Sequence, residues 1–167
     1  MALRYDFRPK VSLAADTLRM VRSGVLSPRI PDRQRLLLMD SDLSDEVQST
    51  EFVRQRTSPS DPIFIGVNDH SIPFVNDVRA YWLAERLPGV RYVNLDSAVI
   101  REPSVQGEII AELQRNGVNW AILYHLSGDY DTWFPNLPPA PKALDNFLAA
   151  TFREEAQFGR FSVIRRR

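Results

Sequence analysis

The stretch Pro62-Ile-Phe-Ile-Gly-Val-Asn-Asp-His70 constrains the fold more than any other part of the chain. A continuous run of apolar residues between a proline and a polar loop reads as a strand covered on both faces, which is the character of a parallel sheet. Val90–Leu95 and Trp120–Tyr124 are two further strand-like runs, the first alternating and so more exposed. Between them lie helical patterns. Val75–Arg86 places Val78, Tyr81, Trp82 and Leu83 at core positions. A helix opening at Ser104 places Val105, Ile109 and Leu113 at i, i+4 and i+8, with Ile110 alongside. Strand–helix–strand–helix–strand predicts right-handed crossovers. The expected fold is α/β: a Rossmann-like three-layer domain with parallel core strands in the order 2-1-3, plus an added edge strand, Phe158–Ile164, of uncertain direction.

The flanks carry weaker patterns. Residues 1–41 read as an N-terminal arm with a short helix over Val11–Val21, broken after it by Gly24, Pro28 and Pro31. A single α/β domain is expected over 42–167. It opens with a helix over Asp42–Arg56 that buries Val47, Phe52 and Val53, with acid in its first turn and base in its last. Pro59 and Pro62 end that helix. Asn116-Gly117 is a C-cap signal. Pro141–Glu155 reads as one helix with Leu144, Phe147, Leu148 and Phe152 on its buried face.

Ligands of open parallel sheets bind beyond the carboxyl ends of the strands. Asn68, Asp69 and His70 follow the first strand, Asp96 and Ser97 the second, and His125, Asp129 and Asp131 the third. Both histidines of the chain therefore fall at one expected edge. Imidazoles beside carboxylates suit a divalent metal or acid–base work near neutral pH. The plainer alternative is that the rings tie down loop backbone, and the expectation is for that role, with no metal and no cofactor. Trp133, beside Tyr130 and Phe134 in a proline-rich loop, completes the candidate ligand-binding set of Asn68, Asp69, His70, Asp96, His125, Asp129, Asp131 and Trp133.

Several chemistries are excluded by what the chain lacks. One glycine at Gly66-Val-Asn-Asp-His70 cannot serve as a G-x-G-x-x-G dinucleotide loop. There is no G-x-S-x-G elbow and no P-loop, and the chain has no cysteine for a thiol nucleophile or a zinc thiolate. No catalytic residue is assigned. With 21 basic residues against 21 acidic ones, the charge balance gives no support to nucleic-acid binding. Apolar runs fall well short of the roughly 20 residues that span a bilayer. Asp6, Arg8, Lys10 and Asp16 interrupt any leader-like core, so the chain as given is expected to be soluble.

A set of stretches nevertheless carries a resemblance. These are Asp61-Pro-Ile-Phe-Ile-Gly66, Phe74-Val-Asn-Asp77 with Tyr81-Trp-Leu-Ala-Glu-Arg86, Arg91-Tyr92, Val105-Gln106 with Glu108-Ile-Ile110, and Phe158-Gly-Arg-Phe-Ser-Val-Ile-Arg165. Over about Leu36–Arg166 the chain resembles the C-terminal soluble domain of bacterial multi-spanning membrane glycosyltransferases of the dolichyl-phosphate-mannose–protein mannosyltransferase type. The resemblance implies a domain on the periplasmic face of the inner membrane. Its partners would be the membrane-embedded part of the enzyme or the acceptor. In that family the carboxylates of sugar transfer lie in membrane loops, so no catalytic role carries over. His70 matches a histidine common after this strand. Ser71 and Ile72 stand where a basic neighbour is usual, which argues against an anion site. The expected function is a non-catalytic accessory or binding domain. The alternative is a small stand-alone α/β enzyme or nucleotide-sugar-binding protein using the carboxyl edge of the sheet. A homodimer joined through the N-terminal arm is a further reading.

Overall fold

The computed structural model describes residues 43–71, 78–95, 97–126 and 140–167. The chain divides between Leu43 and Ser44, and all but the first of these residues belong to the unit Ser44–Arg167. The proposed arm and its helix lie outside the described residues.

Acid at Asp45 and Glu46 and base at Arg54 favour the dipole of helix α1, Leu43–Arg54. Its buried face differs from the expected one. Val53 is buried as anticipated and Phe52 packs partly buried against the same cluster, but Glu46, Ser49 and Thr50 are fully buried beside them while Val47 is not. Burial of these polar groups is tolerated because each is partnered. Ser49 and Thr50 donate to the Glu46 carbonyl at 2.8 and 2.9 Å, and the Glu46 carboxylate pairs with Arg79 at 2.7 Å.

Strand β1, Ile63–Val67, is buried along its whole length. Helix α2, Arg79–Ala84, is shorter than its pattern suggested. Tyr81 and Leu83 are buried with Ala80 and Ala84, whereas Val78 and Trp82 are exposed, so two of the expected core positions face outward. The helix stops where Glu85 turns to a left-handed φ of 54°.

Residues 90–95 do not form the expected second strand. Among the described residues the chain here pairs with β1 through one parallel bridge, between Ile63 and Pro88, with Ile63 N–H donating to Leu87 and Gly89 N–H to Ile63. The reason lies in where the hydrogen bonds go. Farther along β1, the Ile65 N–H donates to the Tyr81 hydroxyl at 3.0 Å and the Val67 N–H to His70 Nε2 at 3.4 Å. Side chains take the places of a neighbouring strand. The Arg91 N–H, for its part, donates to the Glu112 carboxylate at 2.8 Å.

A short helix α3, Ser97–Ile100, leads into α4, Pro103–Arg115, which has proline at its first position. Ile109 and Leu113 are buried as their spacing predicts. Gln106, also buried, ties three segments together. Its amide donates to the carbonyls of Ile100 and Pro141 and accepts from the Leu144 N–H. Gly117 ends α4 with a φ of 62°, as the Asn-Gly signal implied.

Strand β2, Trp120–Tyr124, pairs in parallel with β1 from Ile63↔Trp120 to Val67↔Tyr124. The chain beyond α5, Ala143–Thr151, corrects the sequence reading twice. The helix does not reach Glu155, because Phe152–Phe158 is strand β3. Strand β4, Phe161–Arg166, is not an edge strand but lies between β2 and β3, antiparallel to both. The sheet is thus mixed, in the order β1-β2-β4-β3. Gly159, with φ of 50°, supplies the positive φ that a two-residue hairpin loop needs.

Two apolar clusters take alternate residues of these strands. Phe64, Ala121 and Ile164 join Ile109, Leu113, Leu144, Leu148 and Phe152, whereas Ile63, Ile65, Trp120, Ile122, Phe161 and Val163 join Val53, Tyr81 and Ala84.

Candidate functional site

The carboxyl ends of β1 and β2 open onto a cleft of about 240 Å³. Its floor is apolar: Val67, Leu123, Leu148, Phe152 and Ile164. Its polar lining comprises Asn68, His125, Asp145, Arg153, Glu154 and Ser162. Of the candidates drawn from sequence, Asn68 and His125 line this cleft. His70 stands behind its wall, and Asp69 lies on the loop outside. Asp96, Asp129, Asp131 and Trp133 fall outside the described residues.

His70 is fully buried, and both ring nitrogens are engaged. Nδ1 meets Asp145 Oδ1 at 2.6 Å, and the same carboxylate accepts the His70 backbone N–H at 3.1 and 3.2 Å. Because Nε2 accepts from the Val67 N–H, the imidazole proton belongs on Nδ1, pointing at Asp145. Gly66 makes room for this ring. A Cβ there would lie 2.8 Å from His70 Nε2 and 2.7 Å from the Phe64 ring.

On the neighbouring loop, Asp69 accepts from the Lys142 ammonium at 2.8 Å and from the hydroxyl and N–H of Ser71. Partial burial pushes the Asp69 carboxyl up, but the Lys142 and Ser71 hydrogen bonds outweigh it and hold the group below its ordinary value. Asp69 in turn raises Lys142.

Across the cleft, His125 Nε2 lies 2.7 Å from the Ser162 hydroxyl, which donates to Glu154 Oε2 at 2.8 Å. An ionised carboxylate can only accept, so the hydroxyl proton points at Glu154 and the imidazole N–H at the serine oxygen. His125 Nδ1 is left as an acceptor. Ser162 faces the cleft because the β2–β4 register sets it opposite Leu123. Glu154 faces it because of a bulge. The pairing passes from Glu154↔Ile164 to Ala156↔Val163, leaving Glu155 as the extra residue. Phe152 therefore packs in one cluster with Ile164, while Ala156 and Phe158 pack against the other. Asn68 is held by its side-chain oxygen, which accepts the Leu126 N–H at 3.0 Å.

Asp145, Glu154 and Ser162 were absent from the sequence-based candidates. Asp145 is 75 residues from His70, and Ser162 is 37 from His125, so local pattern carries no trace of these pairs. Among the described residues no group of three or more histidines, aspartates or glutamates is placed to hold a metal ion, and no helix is long and apolar enough to cross a membrane. Comparisons with protein-family models, with curated proteins and with solved structures return no match for this chain.

Proposed function

We propose that the unit Ser44–Arg167 is a non-catalytic binding domain that serves a membrane-embedded glycosyltransferase, packing on its membrane part or contacting its acceptor from the periplasmic face. The resemblance over Leu36–Arg166 supplies that context. One observation supports binding over reaction: the histidine and hydroxyl at the cleft are paired in the wrong sense for a serine–histidine relay. A serine activated by histidine gives its proton to the imidazole. Here the Ser162 hydroxyl donates its hydrogen bond to Glu154 and accepts one from the His125 imidazole. His70 is sealed in the core with both nitrogens used. In the same reading the mixed sheet is a curtailed Rossmann-like three-layer domain, the bridge at Pro88 standing where an outer parallel strand would run.

The competing reading, a stand-alone enzyme or nucleotide-sugar binder, is favoured by the position of the cleft at the carboxyl edge of β1 and β2. Incubating the chain with nucleotide- and polyprenyl-phosphate-linked sugars separates the two. The accessory reading expects no release or transfer of sugar, and turnover by the isolated chain would overturn it. A gene whose reading frame encodes no membrane helices with this domain would count equally against it.

A further inference from the structure

We propose, building on the binding-domain reading, that the cleft receives a single uncharged polyol ring of monosaccharide size and rejects phosphate-bearing ligands. The argument begins with size. The volume of about 240 Å³ lies below the roughly 300–1,000 Å³ of pockets that enclose drug-sized ligands. A nucleoside diphosphate sugar exceeds it, whereas one six-membered ring matches it.

Charge points the same way. Two carboxylates, Asp145 and Glu154, line the space. Among the described residues the one arginine or lysine of the lining, Arg153, is turned to Glu155 at 2.9 Å. Phosphate entering here would face like charge without a committed counter-ion, which costs affinity at such short range.

The hydrogen-bonding groups left over decide the class. Asn68 spends its oxygen on Leu126, and its amide N–H donors make no bond among the described residues. His125 Nδ1 and Glu154 Oε1 remain as acceptors, since His125 uses Nε2 and Glu154 uses Oε2 on Ser162. Donors and acceptors lining one cleft suit hydroxyl groups, which do both. An apolar floor of Leu123, Leu148, Phe152 and Ile164 suits the C–H face of a saturated ring. A purely apolar ligand would strand these polar groups, and an anion would meet two carboxylates.

The test uses the full chain, isotopically labelled, titrated separately with a panel of methyl pyranosides, with inorganic phosphate and with uridine diphosphate, while amide shifts are followed by NMR. At least one pyranoside should shift the amides of Asn68, Leu126 and Ser162 at millimolar concentration, and the other two probes should not. Ala149→Trp places bulk in the cleft from an exposed position on α5. It should weaken the pyranoside response about tenfold or more at an unchanged melting temperature. Shifts of the same amides by phosphate or uridine diphosphate would overturn the ligand class while leaving the binding-domain reading intact. Silence of the cleft amides towards every pyranoside would also overturn it. The binding-domain reading has its own readout, turnover of a sugar donor, so the two cannot fail indistinguishably.

Discussion

The carboxylate of Asp145 holds His70 twice, through the ring Nδ1 at 2.6 Å and through the backbone N–H at 3.1 Å. One side chain in the first turn of α5 thereby locks the loop that leaves β1. Asp145→Ala should strand two donors, one of them fully buried. The expected loss is about 1–3 kcal/mol, read from urea unfolding. Asp145→Asn, which keeps one acceptor, should fall between the variant and the parent. Equal stability of Ala and parent would refute the locking role.

Gly66 is the counterpart of that lock on the strand itself. Gly66→Ala would set a methyl group 2.8 Å from the ring nitrogen of His70 and 2.7 Å from Phe64. Both neighbours are buried, so neither yields cheaply. A loss of about 1–3 kcal/mol is expected, together with a shifted His70 imidazole resonance. A melting temperature at or above that of the parent would show that the contact relaxes.

Tyr81 offers a cleaner substitution. Its hydroxyl accepts the Ile65 N–H at 3.0 Å, and burial pushes the phenol well above its ordinary pKa. Tyr81→Phe removes one acceptor and leaves a buried backbone donor, costing about 1–2 kcal/mol. Hydrogen exchange should quicken at Ile65 and stay unchanged at Phe64. Uniform loss of protection along β1 would argue for a global effect instead.

Arg86 is buried and fixes the ends of two helices. Its guanidinium donates to the carbonyls of Arg54, Thr57, Ala84 and Glu85 and to the Thr57 hydroxyl, at 2.6 to 3.2 Å. A cation at helix C-termini also complements their dipoles. Arg86→Met should cost about 2 kcal/mol or more. Arg86→Lys should recover little of it, since a single ammonium cannot fork to four carbonyls. Full rescue by lysine would show that charge alone matters.

The Asp69–Lys142 pair predicts a pH dependence of defined sign. Asp69 is depressed in the folded state, so its contribution is present above the unfolded carboxylate pKa and is lost as pH falls through the lower folded value. Lys142 is raised, so its contribution is present below the unfolded amine pKa and is lost as pH rises through the higher folded value. Both groups are partly exposed, and the effect is small and screened by salt. Lys142→Met should lower the melting temperature at neutral pH and at low ionic strength. The gap to the parent should close in strong acid. A gap that persists at low pH would assign the effect to packing of the side chain.

Legibility tracked how local each decision was. β1 and β2 were readable because five-residue apolar runs between breakers admit few alternatives. The end of α4 was readable because Asn116-Gly117 caps in place. The buried face of α1 was not, because Ser49 and Thr50 discharge their hydroxyls within the helix and so behave as core residues despite their polarity. Val90–Leu95 has strand composition, but Tyr81 and His70 already occupy the bonding positions of β1 that it would need. Helical spacing of Leu144, Phe147 and Leu148 carried the α5 reading past its end. The hairpin signal was nonetheless printed in Phe158-Gly-Arg-Phe161, with glycine at the first loop position. At the site, His125 and Asn68 were found by strand-end position. Glu154 could not have been found, since its direction depends on a bulge.

That bulge also bears on how the molecule behaves in a crowd. An outer strand offers a template on which another chain can add, and regular, apolar edges are the ones that seed association. β3 closes one side of the sheet with the irregularity at Glu155 and with Arg153, Glu155 and Gln157 exposed along it. Removing Glu155 would restore a regular ladder, with Glu154 still opposite Ile164 and Ala156 still opposite Val163. The extra residue thus makes this rim a poorer template for an added strand than a regular edge would be.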